Sequence, residues 1–302
     1  MANNGTEAQV LAAVTGFLDS ISGQETPLAE TRKHVLPSAY AVDWRAHCGE
    51  LIQTPPNEYV AEMERRLNRM RNDGLRSFVQ TLTTAEGDLP SPQVWVDADQ
   101  GIAAVWAGFA MKSNGEEKYR GITADRGGEG GGKCGGEGWK IAAFVDTRWD
   151  PEYFRPRPMA DAQATEELLA AARVFTDLLN SGKEEPSGVA LQDAVLPGCI
   201  THRLDESGLQ SLLFQDLLLV GNSKAKATGQ QQQWQRKVDV LDGEGRVVAG
   251  VGFLWMHYTV AILTPRAGDE QAKTRGTATL TFLQKNGKWL VSGVQEAEHL
   301  TS

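Results

Sequence analysis

The sequence predicts an α+β protein built from two like modules, each running from helix to sheet. Three observations carry this. Short segments recur in the same order at offsets of roughly 145–160 residues. Each copy opens on an amphipathic helix, and the remainder of each copy alternates or runs apolar as strands do.

The recurrence rests on four matches. Val35-Leu36-Pro37 returns as Val195-Leu196-Pro197, and Ile102-Ala103-Ala104-Val105 resembles Val247-Val248-Ala249-Gly250. Lys118-Tyr119-Arg120-Gly121 returns as Lys273-Thr274-Arg275-Gly276, and Gly138-Trp139-Lys140-Ile141-Ala142-Ala143 resembles Lys288-Trp289-Leu290-Val291-Ser292-Gly293 with the tryptophans aligned. The implied organisation is a first module over 1–150, a linker over 151–163 carrying Pro151, Pro156 and Pro158, and a second module over 164–302. Prolines at that density resist both helix and sheet.

The first helix shows Val10, Val14, Phe17, Leu18 and Ile21 on one face, with a capping box at Thr6 and Gln9 and a stop at Gly23. Leu168, Ala172, Phe175 and Leu179 repeat the stripe in the second copy. A further helix in the first copy buries Val60, Met63, Leu67 and Met70, with Thr54 as its cap and Pro55 at its first position. The second copy has the shorter apolar segment Leu209 to Val220 there. Strands follow: Val94 to Asp97, Ile102 to Met111, Trp234 to Leu241, Arg246 to Tyr258 and Thr277 to Phe282, with Asn114-Gly115 and Asn286-Gly287 as tight turns. From Gly127 to Gly138, eight of twelve residues are glycine, which predicts a shortened strand and a loop.

Bulk properties exclude several classes. A formal net charge of −9 argues against a nucleic-acid partner, because neutralising phosphates needs a surplus of Lys and Arg. No window approaches the roughly 18 apolar residues of a membrane span, so no membrane partner is expected. Three widely spaced cysteines make neither a disulfide framework nor a zinc signature, and point to a reducing, cytoplasmic setting. No metal-ligand spacing, no G-x-S-x-G and no dinucleotide fingerprint occur, so no cofactor is expected.

The element order, closing on the strands Trp139 to Asp146 and Trp289 to Glu296, resembles the nuclear transport factor two-like superfamily, in particular its SnoaL-like and lumazine-binding-like branches. That resemblance implies two cone-shaped modules, each a bent antiparallel sheet wrapped on its N-terminal helices as an α+β barrel open at one end. It implies a mostly apolar pocket and, in the enzymes of the superfamily, an inward Asp or His with Tyr or Trp donors for proton abstraction, dehydration or ring closure.

The candidates for catalysis are His257 and Asp43. His257 shares a strand face with the pocket-wall candidate Trp255, and Asp43 lies with His47 near the first strand. Each also has an ordinary reading, as a polar strand residue and a turn aspartate. Ligand-binding candidates are Trp106, Tyr119, Arg120, His202, Trp255 and Arg275. Asp146 and Arg148 share a face and read as an ion pair. Asp43 aligns with Arg203 and Asp146 with Glu296, so the copies do not keep the same titratable residues.

Two functions stand open. One is a pocket protein for a small apolar molecule, a binder or a cofactor-independent isomerase, cyclase or dehydratase. The other is a non-catalytic structural or protein-interaction module, formed as an intramolecular pseudo-dimer or a homo-oligomer through the sheet faces.

Overall fold

A computed structural model describes residues 3–22, 28–46, 48–55, 57–83, 89–129, 138–180, 193–205, 208–214, 235–263 and 270–299. Gly23, His47, Trp234, most of the glycine run and half of the segment Leu209 to Val220 lie outside them. The chain divides into two compact units, one built mainly from Met1–Pro158, the other from Met159–Asp205 and Leu209–Ser302.

In the first unit α1 (Asn3–Ile21) and α2 (Leu28–His34) lead into β1 (Val35–Arg45) and β2 (Glu50–Thr54). Then come α3 (Tyr59–Asn72), β3 (Phe78–Leu82), β4 (Gln93–Asp97), β5 (Ile102–Ser113), β6 (Glu116–Glu129) and β7 (Trp139–Trp149). The sheet runs β2-β1-β7-β6-β5-β3, with β4 also on β5. All five apolar positions of the α1 stripe are buried, packed with Val105, Ala107, Ile141 and Phe144. The helix starts at Asn3, so Thr6 lies within it. α3 starts after Glu58, past the cap expected at Thr54, because Glu50–Thr54 pairs with β1 as a strand.

The second unit has α4 (Asp161–Asn180), β8 (Val195–Asp205), β9 (Gly208–Leu213), β10 (Gln235–Val248), β11 (Val251–Leu263), β12 (Glu270–Lys285) and β13 (Lys288–His299). Its sheet runs β10-β11-β12-β13-β8-β9. Leu168, Ala172 and Phe175 of α4 join Leu254, Met256, Tyr258, Leu280 and Phe282 in one core. Asn180 at the end of α4 donates to Val238 O at 2.8 Å and accepts from Val238 N at 2.6 Å on the edge strand β10. Ser22 plays a similar part after α1, its Oγ accepting from Gln80 N at 3.0 Å on the edge strand β3.

Several expectations change. Both sheets are mixed, since β1 runs parallel to β7 and β8 parallel to β13. Parallel neighbours need a long crossover, and the intervening chain supplies it. Neither sheet closes into the expected barrel. Closure needs the terminal strands to pair with each other, whereas β2 and β3 end one sheet and β10 and β9 the other. β6 is not shortened: it pairs with β7 up to Glu129, so the first two glycines of the run belong to the ladder. Three repeat matches fall on corresponding strands. The fourth does not, because Val247-Val248 closes β10 while Ile102 opens β5, whose counterpart β11 opens at Val251. No helix among the described residues is long and apolar enough to cross a membrane.

The glycines of the Lys-x-Arg-Gly repeat share a packing cause, to which Gly121 adds the Thr147 carbonyl oxygen, 2.3 Å from where its Cβ would lie. Gly121 sits opposite Phe109 and Gly276 opposite Tyr258. A Cβ on Gly121 would come within 2.4 Å of the Phe109 ring, and one on Gly276 within 2.3 Å of the Tyr258 ring. The bare glycine lets each aromatic side chain lie across the neighbouring strand. Gly276→Ala is therefore expected to destabilise the chain by about 1–3 kcal/mol, read as a lower urea midpoint; an unchanged midpoint would show that the ring moves aside freely.

Candidate functional site

The register of the first sheet assembles a polar cluster. Asp43 on β1 pairs with Asp146 on β7, and Asp146 pairs with Thr123 on β6, so the three form one row across three strands. Two residues along, Asp125 pairs with Phe144. Because strand side chains alternate, Thr123, Asp125, Phe144, Asp146 and Arg148 share one face. It is the helix-facing one: Phe144 packs on Phe17 of α1 and stacks on Tyr59 of α3, each with ring centroids 4.6 Å apart.

Arg148 Nη2 binds Asp43 Oδ2 at 2.5 Å and its guanidinium lies 5.7 Å from the centroid of the Tyr119 ring. Thr123 donates to Asp125 Oδ1 at 2.5 Å. Asp125 is 3% exposed, while Asp43, Asp146, Tyr59 and Arg148 are partly buried. Oδ1 of Asp43 and Oδ1 of Asp146 are enclosed without a hydrogen-bond partner.

The electrostatics follow from burial. Desolvation pushes the Asp146 carboxyl up to about 7, opposed by the Thr123 hydroxyl and reinforced by the Asp43 charge. Asp125 is raised well above the ordinary aspartate range by burial, then by repulsion from Asp146. Asp43 is raised by burial, with Arg148 pulling the other way. The Tyr59 hydroxyl holds its proton more tightly than usual, through burial and then the charges of Asp146 and Asp125. Such a pair can hold or release a proton near neutral pH beside a hydroxyl donor, the chemistry of an acid–base or cation-accepting site. No group of three His, Cys, Asp or Glu side chains placed to hold a metal occurs among the described residues. A cavity bordered by Val10, Val14, Ala103, Asp125, Trp139 and Ile141 measures about 10 Å³, space for about one water.

The residues singled out from sequence fall in three places. Asp43 and Tyr119 belong to this cluster. Trp106, His202 and Trp255 are buried on sheet faces turned away from the helices, His202 and Trp255 in one row through Gln295 and Thr279. Arg120, His257 and Arg275 lie towards the surface: Arg120 pairs with Glu117 at 2.6 Å, His257 Nδ1 lies 2.6 Å from Asp242 Oδ1, and Arg275 is exposed. Arg148 binds Asp43 across the strands rather than Asp146 two residues away. Sequence reasoning missed Thr123, Asp125 and Tyr59. The alternation Thr123-Ala124-Asp125 ahead of the glycines was the available signal. In the second unit Ala278, Leu280 and Val294 occupy the places of Thr123, Asp125 and Phe144, so the carboxylate cluster belongs to the first unit.

No protein-family model matches the chain, and no curated protein matches it. Among solved structures it is similar to a putative calcium/calmodulin-dependent protein kinase II association domain from Xanthomonas campestris, at 12% identity over 45% of this chain and 88% of that one, TM-score 0.34. It is also similar to a nuclear transport factor 2 (NTF2-like) superfamily protein from Salmonella enterica, at 10% identity over 47% and 94%, TM-score 0.33. A third is an uncharacterised protein with a cystatin-like fold from Caulobacter vibrioides, at 13% over 45% and 90%, TM-score 0.33. None of these three is named as SnoaL-like.

The raised carboxyls set the sign of a pH effect. A carboxyl with a folded pKa above its unfolded one stabilises the fold fully below the unfolded value, and the contribution is lost as pH rises through the folded value. For Asp146 the loss runs from about 3.8 to about 7. The melting temperature should fall between about pH 4 and pH 7 and level off above. Asp146→Asn should flatten that fall and be more stable than the wild-type chain at pH 8 by roughly 1–3 kcal/mol. An unchanged slope in this variant would remove Asp146 as its source.

Proposed function

We propose that the chain is a non-catalytic association module made of two fused copies of one fold. The observation that carries the reading is the second face of each sheet. Tyr40, Trp106, Val145 and Trp149 alternate away from the α1 side of the first sheet, and Phe253, Trp255 and Ala297 away from the α4 side of the second. All seven are buried, none more than 6% exposed. Large apolar and aromatic side chains gathered on one sheet face suit contact with another protein surface. The occupant we propose is another module of the same fold, supplied by the fused copy as a pseudo-dimer or by a second chain as a homo-oligomer.

The helix-facing sides favour the same choice. An isomerase, cyclase or dehydratase acting on an apolar substrate needs roughly 300 Å³ or more of room, against about 10 Å³ beside Asp125. In the second unit Met256, Tyr258, Leu280 and Phe282 fill that side with the chain's own atoms. Under this reading Trp106, His202 and Trp255 serve association rather than a ligand. We retain 1–150, 151–163 and 164–302 as module, linker and module, and a cytoplasmic setting consistent with free Cys48 and Cys199.

Calorimetry with sedimentation of the full chain tests the reading. Modules associated through their second faces should unfold in one cooperative transition. Ala297→Arg, which sets a charge on the second face, should split it into two or lower the assembly mass. A wild-type monomer with two independent transitions would overturn the proposal.

A further inference from the structure

Beyond association, we propose that Arg126 holds a small monovalent anion, of which chloride is the type, on the second face of the first sheet. Alternation along β6 turns Asp125 towards the helices and Arg126 the other way. There Arg126 shares a row with Tyr40 of β1, through Ala143 of β7. Its Nη2 donates to the Tyr40 hydroxyl, and its guanidinium lies 5.4 Å from the centroid of that ring. Arg126 is 0% exposed, so its charge is wholly out of water.

The remaining donors point to a ligand. Nε and Nη1 of Arg126 are enclosed and reach no acceptor, and no carboxylate among the described residues pairs with this arginine. A buried guanidinium in that state carries two costs, an unbalanced charge and unmade hydrogen bonds. A water molecule would answer the second and leave the first. An anion answers both.

The surroundings set its size and charge. The positions next to Arg126 on this face are Ala124 and Gly128 along β6, Ala104 on β5 and Ala143 on β7. Each carries only a methyl group or a hydrogen, which leaves the sheet low around the guanidinium. The larger ring of Trp106, opposite Ala124, stands beyond. Such a setting suits an ion of one or a few atoms rather than an organic acid. A single fixed positive charge balances a single negative one, so a dianion such as sulfate would bring its own unbalanced charge. Guanidinium is weakly hydrated and its neighbours here are apolar, so the anion must shed its water cheaply. Chloride does so, and fluoride does not.

The experiment is a thermal-shift titration of the full chain at about pH 7.5, with sodium chloride replacing sodium methanesulfonate at constant ionic strength so that screening of surface charge stays fixed. The expected result is a saturable rise of a few degrees with chloride, absent when sodium fluoride is used instead. Arg126→Met, which keeps the length of the side chain and removes its charge, should lose the rise. No rise with chloride in the folded wild-type chain, an equal rise with fluoride, or a rise undiminished in Arg126→Met would each overturn the proposal. Should Arg126→Met not fold, Arg126→Gln takes its place with the same expected loss. The readout is the anion dependence, so its failure leaves the association reading, tested by transition number and assembly mass, untouched.

Discussion

The last strand of each unit is paired on both sides, parallel to the unit's first strand and antiparallel to the one before it. β7 lies between β1 and β6, and β13 between β8 and β12. This double pairing brings the first and last strands of each unit together, so most other features inherit its register. The row Asp43, Asp146, Thr123 exists because three strands meet at β7. Arg148 reaches Asp43, 105 positions earlier in the chain, for the same reason. Loss of that pairing would leave single polar residues on separate strands, each able to find water.

The two units apply one topology to different ends. In the first, the helix-facing side gathers carboxylates, a hydroxyl and a phenol around Phe144. In the second, Leu280 and Val294 take the corresponding positions and Tyr258 lies over Gly276. A hydrophobic residue in place of a buried carboxylate removes a desolvation cost. The second unit fills these places with apolar side chains, and the first keeps the groups with chemistry. Fusion makes such a division tolerable, because one unit's apolar core need not be compromised by the other's buried charge.

Much of this was legible in the sequence because it is local. The stripes of α1 and α4 follow from 3.6-residue periodicity, and the aligned Trp139 and Trp289 mark corresponding strands. Asp43, Tyr119 and Asp146 are legible as polar or aromatic residues on strands of the first module. What stayed hidden depends on pairing at long range. A parallel strand between the two ends of a module leaves no tight-turn signature, and a register across some hundred residues cannot be counted from either side. Asp125 was obscured by its setting, since glycine suggests a loop until the strand opposite is known. His257 and Trp255 do share a face, as alternation requires, yet one is exposed and the other buried. Burial along a strand depends on what lies over each end.

The amide of Asn180 donates to one backbone group of Val238 and accepts from the other. A side chain thus stands where a further strand would otherwise dock. β10 is an edge of its sheet, and an unguarded edge is a template for chain-to-chain growth into fibrils. With the end of α4 fastened there, fraying of the helix and exposure of a sticky edge become one event. Aggregation from that side then requires the tail of the helix to peel away first, which ties the solubility of the sheet to the integrity of the helix.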